Sequence, residues 1–231
     1  MASLGQWAAW LVDLARLSVT RQTIAMSAAL LLAYIVLALT VSARRLAAFD
    51  VTMMIAVQSQ TNLALDYLLT ALTPLVSAEF SVVWLALAIW LLWRAGFAYR
   101  SLAALWIGAI VPLEFLSKAV VVQPPVGEEF TRLLYDFPLL VVRTAYTYPS
   151  GHAARTTFLC LLICWALWRF SRPNWQRVVG LFSVAAVGLL MAFSRFYFGH
   201  HWPTDVLGGM LLGAAFAGPA ITALDRARSA S

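Results

Sequence analysis

Residues 24–41 read IAMSAALLLAYIVLALTV, an apolar run without a single charged side chain. A helix needs roughly 20 such residues to cross the hydrocarbon core of a bilayer, which is about 30 Å thick. Over all 231 residues, 62% are hydrophobic and only 11% are charged, and the mean hydropathy is +0.82. This exceeds what a soluble core requires. The sequence therefore predicts an all-α, polytopic membrane helix bundle.

Five further apolar stretches follow the first, so we predict six transmembrane helices. The second and the fifth are the shortest. The predicted spans are Ile24–Val41, Ala78–Trp93, Leu102–Val122, His152–Phe170, Val178–Phe193 and Trp202–Leu224. No internal repeat, low-complexity tract or linker divides the chain, and a single membrane domain over residues 1–231 is the simplest organisation.

Two shorter segments are expected to lie at the membrane interface. Leu4–Leu17 places its leucines at helical spacing, with its charged residues off that stripe, so residues 1–21 are predicted to form a cytoplasmic interfacial helix. Asn62–Val76 is apolar but too short to span, which predicts a second interfacial or re-entrant helix.

The net charge of +6 raises the question of nucleic-acid binding. The arginines lie at the ends of the predicted spans and not along one amphipathic surface, so membrane topology explains them and no nucleic-acid partner is expected. Most of them share one side, which the positive-inside rule assigns to the cytoplasm; Arg44 and Arg45 lie on the other side. The long loop of residues 123–149 is then an extracytoplasmic cap, and a bacterial plasma membrane is the expected location.

The ionisable residues collect at the extracytoplasmic ends of the predicted spans. Lys118, the only lysine, ends the third span, His152 begins the fourth, Arg195 ends the fifth and His201 begins the sixth. Ionisable groups near membrane depth are costly and normally pair or serve a site. We therefore expect four helix ends to converge on one functional site.

His201 and Asp205 are four residues apart, which predicts that they share one face of the sixth helix. If Asp205 binds the Nδ1 of His201, the Nε2 is left free to act as a nucleophile, by the same orienting logic as in a catalytic triad. The alternative is a purely structural hydrogen bond at a helix end. The spacing alone does not separate the two.

The segment Tyr148-Pro149-Ser150-Gly151-His152 restarts the chain as a helix after the long loop. Ser150 stands near the N-cap position, and Gly151 allows close backbone approach. Because a helix N-terminus carries free N–H groups, this segment is a candidate anion-binding site.

The combined pattern resembles the type 2 phosphatidic acid phosphatase (PAP2) superfamily of membrane phosphatases. The pattern consists of Lys118, then Pro149-Ser150-Gly151-His152, then Ser194-Arg195 followed after five residues by His201 and after three more by Asp205. The second and third motifs of the family are intact.

The resemblance implies a role for each matching residue. His201 corresponds to a nucleophile that forms a phosphohistidine, Asp205 to its orienting partner, and His152 to the general acid that protonates the leaving oxygen. The implied phosphate ligands are Lys118, Ser150, Gly151 and Arg195. Phosphoryl transfer needs mainly positioning and cationic stabilisation, which these side chains supply without metal, so neither a metal ion nor a cofactor is expected.

The first motif departs from the family pattern. Seven residues after Lys118 the family has an arginine, whereas this chain has Pro125. Arg155, one helical turn after His152, is the predicted replacement and a further phosphate ligand, with Arg143 in the capping loop as the alternative. Glu114, four residues before Lys118, is expected to form an intrahelical ion pair with it.

The sequence thus predicts a metal-independent phosphatase that hydrolyses a lipid phosphomonoester or diphosphate: an isoprenoid diphosphate such as undecaprenyl diphosphate, phosphatidic acid or phosphatidylglycerol phosphate. A phosphotransferase that passes the phosphoryl group to an acceptor other than water would use the same residues. A non-catalytic lipid-phosphate binding or transport protein is the third alternative, motivated by the altered first motif. The expected partners are the lipid substrate and the bilayer, and the sequence does not indicate an oligomeric state.

Overall fold

Helices dominate the structure, a computed structural model that describes residues 21–76, 78–132 and 144–225. Within these residues there are eight α-helices and no β-strand. In chain order they are α1 (Arg21–Ser42), α2 (Ala47–Gln58), α3 (Leu63–Leu72), α4 (Ala78–Leu92), α5 (Ile110–Val120), α6 (Gly151–Phe170), α7 (Trp175–Tyr197) and α8 (Pro203–Asp225). The predicted all-α class is confirmed.

Six helical segments are long and apolar enough to cross a membrane, as predicted. They are Gln22–Ser42, Phe80–Phe97, Arg100–Val120, Gly151–Phe170, Trp175–Tyr197 and Pro203–Leu224. The chain is a multi-pass integral membrane protein. The third of these spans begins as a 3₁₀ helix, Ala98–Ala109, and continues as α5. The helical geometry of the second span is interrupted near its end at Gly96, which has a φ of +90°.

Two short helices lie between the first and second spans. The predicted helix at Asn62–Val76 is present as α3, followed by a 3₁₀ turn at Thr73–Val76, and the Asn62 side chain caps it by accepting from Leu65 N. The helix α2 was not predicted, because its twelve residues are too few to span and carry no strong cap. Each short helix buries one aspartate, Asp50 in α2 and Asp66 in α3.

The last helix, α8, is the centre of the bundle. Half of its spanning window is buried, against 17–33% for the other five spans. Two glycines let α6 approach it closely: a Cβ on Gly209 would lie 2.3 Å from Ser150 O, and one on Gly213 would lie 2.2 Å from Ala154 O. Small residues permit such close helix approach in membranes. This packing brings the start of α6 against the start of α8.

Part of the predicted periphery lies outside the described residues. This holds for residues 1–20, which include the predicted interfacial helix Leu4–Leu17, and for residues 133–143 of the capping loop, which include Arg143. The described part of the loop contains a short 3₁₀ turn at Glu128–Phe130.

Candidate active site

The predicted pairing of His201 with Asp205 is present, but its local geometry differs from the prediction. The Nδ1 of His201 lies 3.3 Å from Asp205 Oδ2. Because Pro203 is the first residue of α8, His201 belongs to the turn before the helix and not to a helix face. The same Oδ2 accepts from Trp202 N at 3.1 Å. In this contact an acidic side chain in the first turn of a helix binds the backbone N–H of the residue before the helix, as in a capping box.

Asp205 is fully buried and connects the two helices that start at the site. Its backbone oxygen accepts from Ser150 N at 2.9 Å, which joins the first turn of α8 to the start of α6. Its second carboxylate oxygen, Oδ1, is buried without a hydrogen-bond partner among the described residues. The carboxylate that contacts His201 thus belongs to a residue whose backbone is fixed by the start of α6.

The start of α6 has the predicted cap. Ser150 is the N-cap residue, and its Oγ accepts from Ala153 N at 3.4 Å. A Cβ on Gly151 would lie 2.0 Å from Glu114 Oε1, so a larger residue here would displace the Glu114 carboxylate. His152 lies within electrostatic reach of Arg195, Arg155, His201 and His200, so the predicted acid and the predicted nucleophile share one cluster.

Arg195 is almost fully buried at the end of α7, with 3% of its surface exposed. Its guanidinium donates to Thr73 Oγ1 at 2.9 Å and to Ser194 Oγ at 3.1 Å. Its backbone oxygen accepts from His200 N at 2.9 Å and from His201 N at 3.1 Å, so the same residue that presents the cation also holds the turn that carries His201. Thr73 follows α3 and was not singled out from the sequence.

Glu114 connects Lys118 and Arg155. Lys118 Nζ donates to Glu114 Oε1 at 2.8 Å, the expected ion pair within α5. Arg155 Nη1 donates to Glu114 Oε2 at 2.7 Å, from α6. Both cations are therefore next to Gly151, and the Nε of Arg155 is buried with no hydrogen-bond partner in the described parts of the chain. Whether Arg155 binds phosphate stays a prediction.

His200 precedes the candidate nucleophile His201 and differs from an ordinary histidine in its pKa. Burial lowers its pKa to about 3, and the electrostatic interactions with Arg195 and then with His201 act in the same direction. His200 is therefore neutral near pH 7 and is no candidate for the general acid.

Three residues missed by the sequence analysis form a buried cluster behind the start of α8. The Asp50 carboxylate accepts from Thr204 N at 3.0 Å, from Thr204 Oγ1 at 2.7 Å and from Gln123 Nε2 at 3.0 Å. A lone carboxylate in an apolar twelve-residue segment was the available signal, since such a charge needs partners.

The first residues of the capping loop pack over the turn that contains His201. Trp202 Nε1 donates to Pro124 O at 2.8 Å, and the Phe130 and Trp202 rings meet edge to face with centroids 6.0 Å apart. Gly199 has a φ of +73°, and a Cβ there would lie 2.1 Å from Phe130 O. This part of the loop therefore covers one side of the turn.

The second half of the chain is similar to a known protein family. Residues 119–229 match the PAP2 superfamily. An undecaprenyl-diphosphatase of Sulfolobus acidocaldarius is 38% identical over 73 residues, which is 31% of this chain and 30% of that protein. Phosphatidylglycerophosphatase B of Bacillus subtilis is 32% identical over 111 residues, which is 47% of this chain and 53% of that protein. The chain thus spans about half or less of these relatives.

One solved structure shares the fold over most of the chain. It is a crystal structure of a transmembrane PAP2-type phosphatidylglycerolphosphate phosphatase from Bacillus subtilis. The TM-score is 0.67 at 20% sequence identity, and the match covers 82% of this chain and 91% of that one. The chain therefore shares the fold of this solved transmembrane protein over most of its length.

Proposed function

We propose that the chain is a membrane lipid phosphatase of the PAP2 superfamily, whose pattern residues 119–229 match. The observation that carries the proposal is the His201 Nδ1 to Asp205 Oδ2 contact of 3.3 Å beside the capped start of α6. A binding or transport protein has no need of an oriented histidine and a second histidine, His152, in the same cluster.

The proposed reaction has two steps. With Nδ1 directed to Asp205, the Nε2 of His201 attacks phosphorus, an N–P bond forms, and the P–O bond to the leaving group breaks while His152 gives its proton to the departing oxygen. Water then attacks the phosphohistidine with His152 as the base, and phosphate leaves. Lys118, Arg195, Arg155, Ser150 and the Gly151 backbone are the proposed ligands of the phosphoryl oxygens.

Charge in this cluster suits a phosphoryl group. Phosphoryl transfer spreads negative charge over the three equatorial oxygens, and catalysis rests on placing fixed cations and N–H groups against them. Arg195 is buried and held by Thr73 and Ser194, and Ser150 and Gly151 start a helix whose N–H groups favour an anion. These groups are held in place before a substrate arrives.

The proposed substrate class is a phosphate monoester or diphosphate of a lipid. One relative is named for undecaprenyl diphosphate and another for phosphatidylglycerophosphate, and the shared chemistry is a phosphoryl group on a membrane-anchored leaving group. Since the site lies at the ends of spanning helices, a headgroup can reach it while the lipid tails stay in the bilayer. We further propose that the chain forms one membrane domain in a bacterial plasma membrane.

The test is a panel of lipid phosphates incubated with the purified protein in detergent, with released phosphate as the readout. Undecaprenyl diphosphate, phosphatidic acid and phosphatidylglycerol phosphate form the panel, and the His201→Ala protein is the control. Phosphate release from at least one lipid by the wild-type protein alone supports the proposal. Transfer of the phosphoryl group to an added alcohol without free phosphate would identify a phosphotransferase instead, and no turnover of any lipid would reject catalysis.

We also propose that the site faces away from the cytoplasm, because the arginine-rich connections lie at the other ends of the spans. Single cysteines at Glu128 and at Arg172, in a background without Cys160 and Cys164, test this with a membrane-impermeant thiol reagent. Labelling of intact cells at position 128 but not at 172 is expected. The reverse pattern would move the site to the cytoplasmic side.

A further inference from the structure

Asp50 lies outside the part of the chain that matches the family, on the short helix α2, and is 2% exposed. A buried carboxylate is costly unless hydrogen bonds compensate it. All the partners of Asp50 serve this purpose: the backbone N–H of Thr204 at 3.0 Å, the hydroxyl of Thr204 at 2.7 Å and the amide of Gln123 at 3.0 Å. The carboxylate thus binds two other segments of the chain, the start of α8 and the residues that follow α5.

These hydrogen bonds lead directly to the catalytic candidates. Thr204 is the second residue of α8 and the sequence neighbour of Asp205, so Asp50 holds the first turn of α8 from outside the helix. The position also suits a carboxylate, because the N-terminus of a helix presents free N–H groups and partial positive charge. Among the described residues no hydrogen bond joins Asp50 to His201 or Asp205, although the Asp50 and Asp205 carboxyls are close enough to interact electrostatically.

The network continues toward the start of α6. Gln123 is 5% exposed, and its backbone oxygen accepts from Thr147 N at 3.0 Å, three residues before Ser150. Gln123 Nε2 also approaches Thr204 Oγ1 at 3.3 Å. Asp50 therefore joins α2, the chain that leaves α5, and the start of α8 at one point.

We propose that Asp50 is a positioning residue that keeps Asp205 in register with His201, an inference that rests on the proposed phosphatase function. The distance from His201 Nδ1 to Asp205 Oδ2 is 3.3 Å, already beyond the usual range of a short N–H···O bond, so a small shift of the first turn of α8 breaks it. Besides the His201 contact, the Asp205 side chain accepts only from Trp202 N at 3.1 Å, and its Oδ1 has no hydrogen-bond partner in the described residues. The first turn of α8 is held from outside by Asp50, through Thr204, and by Ser150 N, which donates to Asp205 O at 2.9 Å.

A matched pair of variants at Thr204 tests the proposal with the least disturbance. Thr204→Val keeps the size and the backbone N–H but removes the hydroxyl that donates to Asp50, whereas Thr204→Ser keeps the hydroxyl. We expect Thr204→Val to lower kcat roughly ten- to hundredfold, the scale that a misplacement of about 1 Å imposes on a reacting group. Thr204→Ser should keep most of the activity.

Asp50→Asn provides the second arm, with Asp66→Asn as its control. Asp66 is also a buried aspartate on a short helix, but it accepts from Tyr197 and Arg132 and, within the described residues, makes no hydrogen bond to the start of α8. We expect Asp50→Asn to lower kcat more than Asp66→Asn at equal loss of thermal stability. The inhibition constant for inorganic phosphate should change by no more than about threefold, because the cations that bind the ground state are untouched.

Different results overturn different statements. If wild type releases phosphate and Thr204→Val and Asp50→Asn both keep its kcat, the positioning role is rejected while the phosphatase function stands. A rise in the phosphate inhibition constant in proportion to the loss of kcat also rejects it, since that would indicate general damage to the site. If wild type hydrolyses no lipid phosphate, the proposed function fails and this inference fails with it. If Asp50→Asn does not fold, the Thr204 pair alone decides.

Discussion

Arg155 Nη1 donates a hydrogen bond to Glu114 Oε2 at 2.7 Å, across the gap between α6 and α5. Lys118 occupies the other oxygen of the same carboxylate, so one buried acid holds two cations side by side next to Gly151. This arrangement brings an arginine close to Lys118 although the first sequence motif lacks one. It also offers a competing explanation for Arg155, as the ion partner of Glu114 alone.

We predict that Arg155→Ala lowers turnover by at least one to two orders of magnitude, because this is the rate loss that follows from losing a charge-assisted contact of about 1.5 to 3 kcal/mol. Arg155→Lys should recover only part of the rate, because the fork of donors is lost. Initial rates of phosphate release measure both.

The double variant Arg155→Ala with Glu114→Gln separates the two explanations. It should stay slow if Arg155 binds phosphate. Recovery to the wild-type rate would show that Arg155 serves only as the ion partner of Glu114. Strong loss in Arg143→Ala instead would assign the cation to the capping loop.

A second prediction concerns the stability of this ion cluster. Glu114 is 5% exposed, and Glu114→Gln leaves Lys118 and Arg155 with no carboxylate between them. Breaking a buried pair on one side costs about 3 to 5 kcal/mol in general, and the partial exposure of both cations here should bring the loss below that range. The melting temperature in detergent should fall clearly. Glu128→Gln is the control, as Glu128 is exposed on the capping loop, and equal melting temperatures for the two variants would contradict the prediction.

The nucleophile assignment predicts that His201→Ala abolishes turnover and leaves the fold intact, since a side chain at a helix end contributes little stability compared with the covalent step. Asp205→Asn should be severely slowed but measurable, because the nucleophile remains while its orientation is lost. Phosphate release and melting temperature are measured in parallel. Activity retained in His201→Ala would remove the assignment, and an unchanged rate in Asp205→Asn would contradict the pairing.

His200 predicts a pH dependence of stability. Its pKa is about 3 in the folded protein against 6.5 for an ordinary histidine, so between these values the unfolded chain binds more protons and stability falls as the pH falls. The contribution of neutral, buried His200 to the free energy of unfolding is fully present above about pH 6.5 and is lost toward pH 3, at up to about 1.4 kcal/mol per pH unit. Melting temperatures from about pH 7 to about pH 4.5 should therefore decline less steeply in His200→Gln than in wild type. Parallel curves would show that His200 is free to protonate in the folded state.

The proposed mechanism predicts that activity survives EDTA, because fixed cations provide the charge stabilisation that a metal ion supplies elsewhere. The rate should also depend on pH in a bell shape, as one histidine must be unprotonated and the other protonated. Phosphate release with and without chelator, over a range of pH, measures both. Loss of activity on chelation that Mg²⁺ restores would indicate a different mechanism.

The sequence by itself determined the six spans, because apolar length is a local property and the bilayer imposes one threshold on every span. It also determined the cap at Ser150 and the spacing of His201 and Asp205, which follow from neighbours along the chain. The start of α8 at Pro203, which leaves His201 in the preceding turn, is also a local property, because proline favours the first position of a helix.

The tertiary structure alone decided which distant groups meet. Asp50 reaches Thr204, Glu114 reaches Arg155 and Thr73 reaches Arg195, across separations of 154, 41 and 122 residues. No pattern of spacing encodes such contacts, since they depend on how the short helices α2 and α3 and the central helix α8 pack. The physical reason is that an unpaired charge is costly when it is buried. Each buried charge therefore binds the partner that the packing brings within hydrogen-bond distance.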